Sequence, residues 1–117
     1  MEFLNRLEIV GIVGNTTTNK VGDLHITRLS VVVEYGYKAE DGTNVIDTQW
    51  FNVTAWEKEG TKNAPSLKRG DWVRVRGRVR QYRFTNADGT SVGGFEVVAR
   101  SVERINQDAD HLEPQKD

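Results

Sequence analysis

Trp72-Val73-Arg74-Val75-Arg76-Gly77-Arg78-Val79-Arg80-Gln81-Tyr82-Arg83-Phe84 alternates apolar and basic residues with a period of two. Side chains alternate faces along an extended strand, so Trp72, Arg74, Arg76, Arg78, Arg80, Tyr82 and Phe84 share one side. Val73, Val75, Gly77 and Val79 take the other. The valine side is a core face on which Gly77 marks a bend or a close packing contact, and it forces the basic and aromatic set outward. Guanidinium groups pair with phosphates and stack on rings, and exposed rings offer platforms for unstacked bases.

The preceding apolar segment repeats the arrangement. Ile46, Thr48, Trp50, Asn52, Thr54 and Trp56 fall on one face, leaving Phe51, Val53 and Ala55 for the core. Five such stretches, near Phe3 to Gly14, Ile26 to Tyr37, Val45 to Trp56, Trp72 to Phe84 and Phe95 to Ile105, are separated by turn residues. The turns are marked by Val21-Gly22-Asp23, Glu40-Asp41-Gly42 and Asn86-Ala87-Asp88-Gly89. None of the five shows the 3.6-residue spacing of a long helix, so the chain reads as all-β. Glu57 to Gly70, with Gly60 and Pro65, permits only a short helix or turn between the third and fourth strands. Three strands, a connector and two strands is the order of a five-stranded OB-fold Greek-key barrel.

The chain has 117 residues, enough for one compact domain. We assign residues 1–105 to that domain and residues 106–117 to a short, acidic, unstructured tail. Net charge is −1, but it is segregated: Lys68, Arg69, Arg74, Arg76, Arg78, Arg80 and Arg83 are opposed only by Asp71 between positions 68 and 83. The tail carries Asp108, Asp110, Glu113 and Asp117 against Lys116. Such segregation points to an anionic ligand at one place. There is no cysteine, which excludes disulfides and thiolate metal sites and favours a reducing compartment. The apolar stretch from Leu7 to Val13 is broken by Glu8 and Gly11, so no signal peptide or membrane span is expected, and the protein should remain in the cytoplasm.

In order and at matching spacing, these residues resemble the bacterial single-stranded DNA-binding protein family. Asn5-Arg6-Leu7-Glu8-Ile9-Val10-Gly11-Ile12-Val13-Gly14 is similar to that family's first strand, and Ile46-Asp47-Thr48-Gln49-Trp50-Phe51-Asn52-Val53 to its Thr-Glu-Trp-His-Arg-Val segment. Leu67-Lys68-Arg69-Gly70 with Val73 to Val79, and Arg83-Phe84-Thr85 with Asp88-Gly89, resemble the segments that follow there. The resemblance implies sequence-tolerant binding and protection of single-stranded DNA in replication, recombination or repair. It places base-stacking aromatics at Tyr37, Trp50, Trp56 and Phe84 and phosphate contacts at Lys58, Arg69, Arg80 and Arg83. Tyr37 shares parity with Leu29, Val31 and Val33, so a bulge or the strand's end must turn it outward. A homotetramer is implied, with Phe51 near a dimer seam and Arg74 or Arg76 turned toward subunits. Trp72, beside Gly70-Asp71, is expected in packing or a subunit contact. The family's acidic Pro-Phe tip has no counterpart in Leu112-Glu113-Pro114-Gln115-Lys116-Asp117, so recruitment of replication and repair partners through such a tip is not expected.

Other readings stand beside this one. A dimeric primosome-type accessory module could use the same barrel as a bridge between proteins. A nuclease would need gathered carboxylates, whereas Asp23, Asp41, Asp47 and Asp88 are scattered. His25 and His111 give no zinc spacing, and no cofactor or metal is expected. An RNA-binding cold-shock barrel lacks its paired Phe-rich stretches here. A structural oligomer without a ligand would also account for exposed aromatics on a sheet and an Arg-rich edge.

Overall fold

The computed structural model describes residues 1–106. The expected acidic tail beyond Asn106 lies outside the described residues. Five strands, β1 (Leu7–Val21), β2 (Leu24–Lys38), β3 (Asn44–Trp56), β4 (Trp72–Thr85) and β5 (Ser91–Arg104), close into a barrel in the order β1-β2-β3-β5-β4. All neighbours run antiparallel except β3 and β5, which meet in a short parallel contact at Val53 and Thr54 against Val97 and Val98. The OB-type barrel expected from the strand order is the observed fold.

Alternation builds the core as the valine pattern requires. Val73 and Val75 of β4, Val13 of β1, Leu29 and Val31 of β2, Val53 and Ala55 of β3, and Val97, Ala99 and Val102 of β5 are buried in one cluster. Gly77 belongs to close packing: a Cβ there would overlap the Val98 carbonyl oxygen. Beside it the β4–β5 register shifts between Arg76 and Gly77, because Arg100 is an extra residue on β5.

The strands are longer than their core segments. The β2–β3 pairing continues to Lys38 and Asn44, and the β4–β5 pairing to Thr85 and Ser91, so two hairpin arms extend past the short β3–β5 contact. All three expected turns are present, and each carries a glycine at positive φ: Gly22, Gly42 and Gly89. The first and last strands differ most from expectation. The first strand starts at Leu7 rather than Phe3 and runs on to Val21, because a register shift between Val13 and Thr16 absorbs Gly14-Asn15 and the polar run from Thr16 pairs with β2. The last begins at Ser91, since Gly93 and Gly94 are held in the ladder opposite Arg83 and Tyr82.

The connector folds into two single 3-10 turns, Glu59–Thr61 and Ala64–Ser66, in place of a longer helix. It is tied to the barrel by buried Thr61, whose hydroxyl donates to the Trp56 carbonyl oxygen at 2.6 Å and accepts from the Lys58 N–H at 3.1 Å. At its far end the Gly70 N–H donates to the Val13 carbonyl and the Val13 N–H to the Asp71 carbonyl. No described helix is long and apolar enough to cross a membrane.

Candidate nucleic-acid interface

The third strand lays its two tryptophans on the outer face, where Trp50 is 61% exposed and Trp56 42%. Trp50 pairs with Val32 of β2 and reaches across that strand to Gly14 of β1, where a Cβ would come within 2.6 Å of the indole. A side chain at position 14 would therefore lift the ring off the sheet. Trp56 pairs with Ile26 and sits in a clip between strands. Beside it, the Glu57 carboxylate accepts from the His25 N–H at 2.7 Å and lies 2.8 Å from His25 Nδ1, while the Glu57 N–H donates to the His25 carbonyl. The backbone bond from His25, followed by the bond to its ring, holds the Glu57 carboxyl below its ordinary pKa.

On β4 the outer face presents Arg80, Tyr82 and Phe84, the last half exposed. The rings of Tyr82 and Phe84 stack with centroids 6.2 Å apart and planes 8° from parallel, giving one aromatic platform. Tyr82 lies against Gly94, where a Cβ would meet its hydroxyl oxygen at 2.7 Å. A groove of about 410 Å³ runs from β2 to this platform, lined by Arg28, Ser30, Asn52, Thr54, Tyr82 and Glu96, among others. Its polar floor is organised by Glu96, which accepts from the Thr54 hydroxyl at 2.7 Å and from Arg80 at 2.7 Å. The Thr54 bond is the main cause of a lowered Glu96 pKa; burial opposes it, and the bond and charge of Arg80 and the charge of Arg28 add to it.

The structure thus brings together Trp50, Trp56, Phe84 and Arg80 on the outer surface, as alternation requires. It sends Tyr37 and Arg83 elsewhere. The β2–β3 register is unbroken from Ile26 to Lys38, so no bulge reorients Tyr37. Tyr37 keeps the parity of the core face and is 43% exposed because the arm outruns the barrel; it stacks on Tyr35 at 6.0 Å. Arg83 pairs with Gly93 and has the parity of Gln81 and Val79, on the face opposite Phe84. Leu7, Phe51, Val79, Phe95 and Val97 line a largely apolar mouth of about 320 Å³, which Trp50, Asn52 and Glu96 complete from the outer face. Arg69 lies in the turn ahead of β4 and lines neither the groove nor the mouth.

Lys58 follows Trp56 and lines a cleft of about 360 Å³ with Arg6, Arg78 and Arg100. Two further arginines of β4 are engaged differently. Arg74 lies 3.4 Å from Glu8 and 3.3 Å from Glu103, and Arg76 lies 3.1 Å from Glu8 and 3.9 Å from Glu103. Trp72 is half-buried beside them, paired with Ile12. Among the described residues no group of three or more His, Cys, Asp or Glu is arranged to hold a metal ion.

Alternation had already put Tyr82 on the outer face, but only the structure joins it to Phe84 as a platform. Arg28, Asn52 and Glu96 carry no local sequence pattern that marks them as contacts, because three separate strands bring them to one groove.

Comparison with known proteins gives a consistent result. The model of the single-strand binding protein family matches residues 4–105. A single-stranded DNA-binding protein of Xanthomonas axonopodis pv. citri is 29% identical over 104 residues, 87% of this chain and 58% of that relative. The protein of that name from Xylella fastidiosa is 28% identical over 109 residues, 92% of this chain and 66% of the relative. The chain therefore spans about three-fifths of the length of such relatives. Among solved structures, a Plasmodium falciparum SSB in complex with single-stranded DNA superposes with a TM-score of 0.81 at 13% identity, covering 91% of this chain and 98% of that one. A small single-stranded DNA-binding protein from Streptomyces coelicolor gives 0.68 at 21% identity, covering 88% and 96%.

Proposed function

The chain belongs to the single-strand binding protein family, and from that premise we propose that it binds unpaired DNA with little sequence preference and without catalysing a reaction. The observation that carries the reading is the joint exposure of Trp50, Trp56 and the Tyr82–Phe84 platform on the outer face of the barrel, with Arg80 among them. Bases splayed from a single strand stack on these rings, and cationic side chains hold the phosphates between them. A duplex keeps its base faces hidden and gains only the electrostatic part, so single strands are preferred.

Within this reading Trp50, Trp56 and Phe84 are the principal stacking residues, and Arg80 and Lys58 contact phosphates. Tyr37 and Arg83 belong to a strand that wraps around the arms onto their inner face, and Arg69 to a peripheral contact. No cofactor enters. We assign the protein to the cytoplasm, with residues 1–105 as its DNA-binding domain, assembled as a homotetramer. Support for assembly comes from the family, and the solution mass tests it.

Binding is tested by tryptophan fluorescence during titration with oligo(dT) and with a duplex of equal length. We expect quenching by the single strand and much weaker binding of the duplex. If about four phosphates are neutralised, log affinity falls with log salt at a slope of roughly −3. Trp56→Ala is expected to lose about 1–3 kcal/mol of binding with its melting unchanged. Equal affinity for duplex and single strand, or a flat salt response, would overturn the reading.

A further inference from the structure

Arg6, Lys58, Arg78 and Arg100 come from four separate parts of the chain and line the same cleft, whose wall is completed by Leu4, Asn5, Gly77, Val98 and Ala99. No acidic side chain lines it. None of the four cations forms an ion pair among the described residues, whereas Arg74, Arg76, Arg80 and Arg104 each have a carboxylate within 4 Å. Gathering like charges in one concavity is unfavourable unless an anion relieves it, and a concave basic surface concentrates its field on such a ligand.

The cleft is held in place by the backbone. The side-chain amide of Asn5 donates to the Val79 carbonyl at 2.7 Å, and its oxygen accepts from the Val79 N–H at 2.9 Å. This pair docks the segment before β1 along β4 and so sets Arg6 beside Arg78. Gly77 lets β4 and β5 approach closely under the cleft, and the extra residue at Arg100 leaves the ladder there. Thr61 fixes the turn that carries Lys58.

Position makes the ligand specific. Lys58 is two residues beyond Trp56, and Val98 in the cleft wall is paired with Thr54 in the wall of the groove. The cleft is thus the continuation, across β5, of the surface that carries the outer-face aromatics. We infer that Arg6, Arg78 and Arg100, together with Lys58, form a second phosphate-binding stretch. It receives the sugar-phosphate backbone of a single strand after its bases have left Trp56. The inference rests on the single-strand reading above and extends the path of the strand past the aromatic surface. In the cleft the four cations meet phosphates with no exposed ring among the lining residues, so this part of the path holds the backbone without stacking bases.

The test compares the intact protein with the variant Arg6→Gln, Arg78→Gln, Arg100→Gln on two oligo(dT) lengths. The shorter, of about 6 nucleotides, covers the aromatic surface alone, and the longer, of about 16, reaches the cleft as well; both lie within the range of single OB-fold sites. We expect unchanged affinity for the short strand and at least a tenfold loss for the long one at low salt. The salt slope on the long strand should become shallower by roughly 2, from three phosphate contacts at about 0.7 each. Thermal melting shows that the variant is folded, and inorganic triphosphate supplies an independent probe: amide resonances of Asn5, Gly77, Val98 and Ala99 should shift in the intact protein and not in the variant. Equal affinity of the two proteins for the long strand, or an equal loss on both lengths with the fold intact, overturns the inference. Failure of the intact protein to bind either strand overturns the single-strand reading instead.

Discussion

Arg76 and Arg78 stand two positions apart on the same face of β4, yet their surroundings are opposite in charge. Arg76 and its neighbour Arg74 are bracketed by Glu8 from β1 and Glu103 from β5, forming a four-residue web at 3.1 to 3.9 Å. Arg78 shares its cleft with Arg6, Lys58 and Arg100 and with no carboxylate. Gly77 separates the two regions, at the point where the β4–β5 register shifts. The difference teaches that a run of basic residues is not one electrostatic object. One end is neutralised within the fold and serves the sheet, and the other has no carboxylate beside it, as the proposed phosphate-binding stretch requires. Arg80 is intermediate, paired with a single carboxylate, Glu96, inside the groove.

The largest expected effect comes from breaking the boundary itself. Gly77→Ala places a methyl group against the Val98 carbonyl, which cannot withdraw without opening the ladder. We expect a loss of about 1–3 kcal/mol of stability, read from urea unfolding, and a displaced cleft.

A smaller effect sharpens the intermediate case. If Arg80 meets a phosphate as proposed, Glu96 places a negative charge at that contact, so Glu96→Gln should tighten oligo(dT) binding by a few-fold, about 0.5–1 kcal/mol. Weaker binding would mean instead that Glu96 orients Arg80 for the phosphate. The same variant has a pH signature. Because the Glu96 carboxyl titrates below its ordinary value in the folded state, its ionised form stabilises the fold above the unfolded pKa. That contribution disappears as pH falls through the lowered folded value. Acid unfolding should accordingly be less steep in Glu96→Gln than in the parent.

The smallest effect is expected in the neutralised region. Arg76 is partly exposed, and exposed ion pairs contribute little, so Arg76→Gln should change stability by less than about 1 kcal/mol. It should also leave the salt slope of DNA binding where it was. A slope that became shallower by about 0.7, one phosphate contact, would show that the web opens for DNA and would erase the contrast with Arg78.

Much of the barrel was legible beforehand because strand periodicity is a local property. Val73 and Val75 are fully buried, and Trp50, Trp56 and Phe84 are exposed, as parity alone requires. Turn glycines likewise announced the hairpins. The length of β1 was less legible, since Gly14 reads as a break while the polar run after it gains its strand character only by pairing with β2. Tyr37 and Arg83 carried family roles, but parity puts both opposite the tryptophan face, and their exposure comes from arms that outrun the core. Parity turns Tyr82 outward, and the twist of the folded arm brings its ring onto Phe84.

By itself, then, the sequence determined which side chains leave the barrel, because alternation follows from the covalent geometry of an extended chain. It did not determine which outward charges stay free. Glu8 and Glu103 reach Arg74 and Arg76 from strands at opposite ends of the chain, and Arg6, from the segment before β1, and Arg100 of β5 line one cleft with Arg78. Only barrel closure and a one-residue shift in the β4–β5 ladder decide those meetings. Coulombic interaction depends on separation in space, which position along the chain does not give.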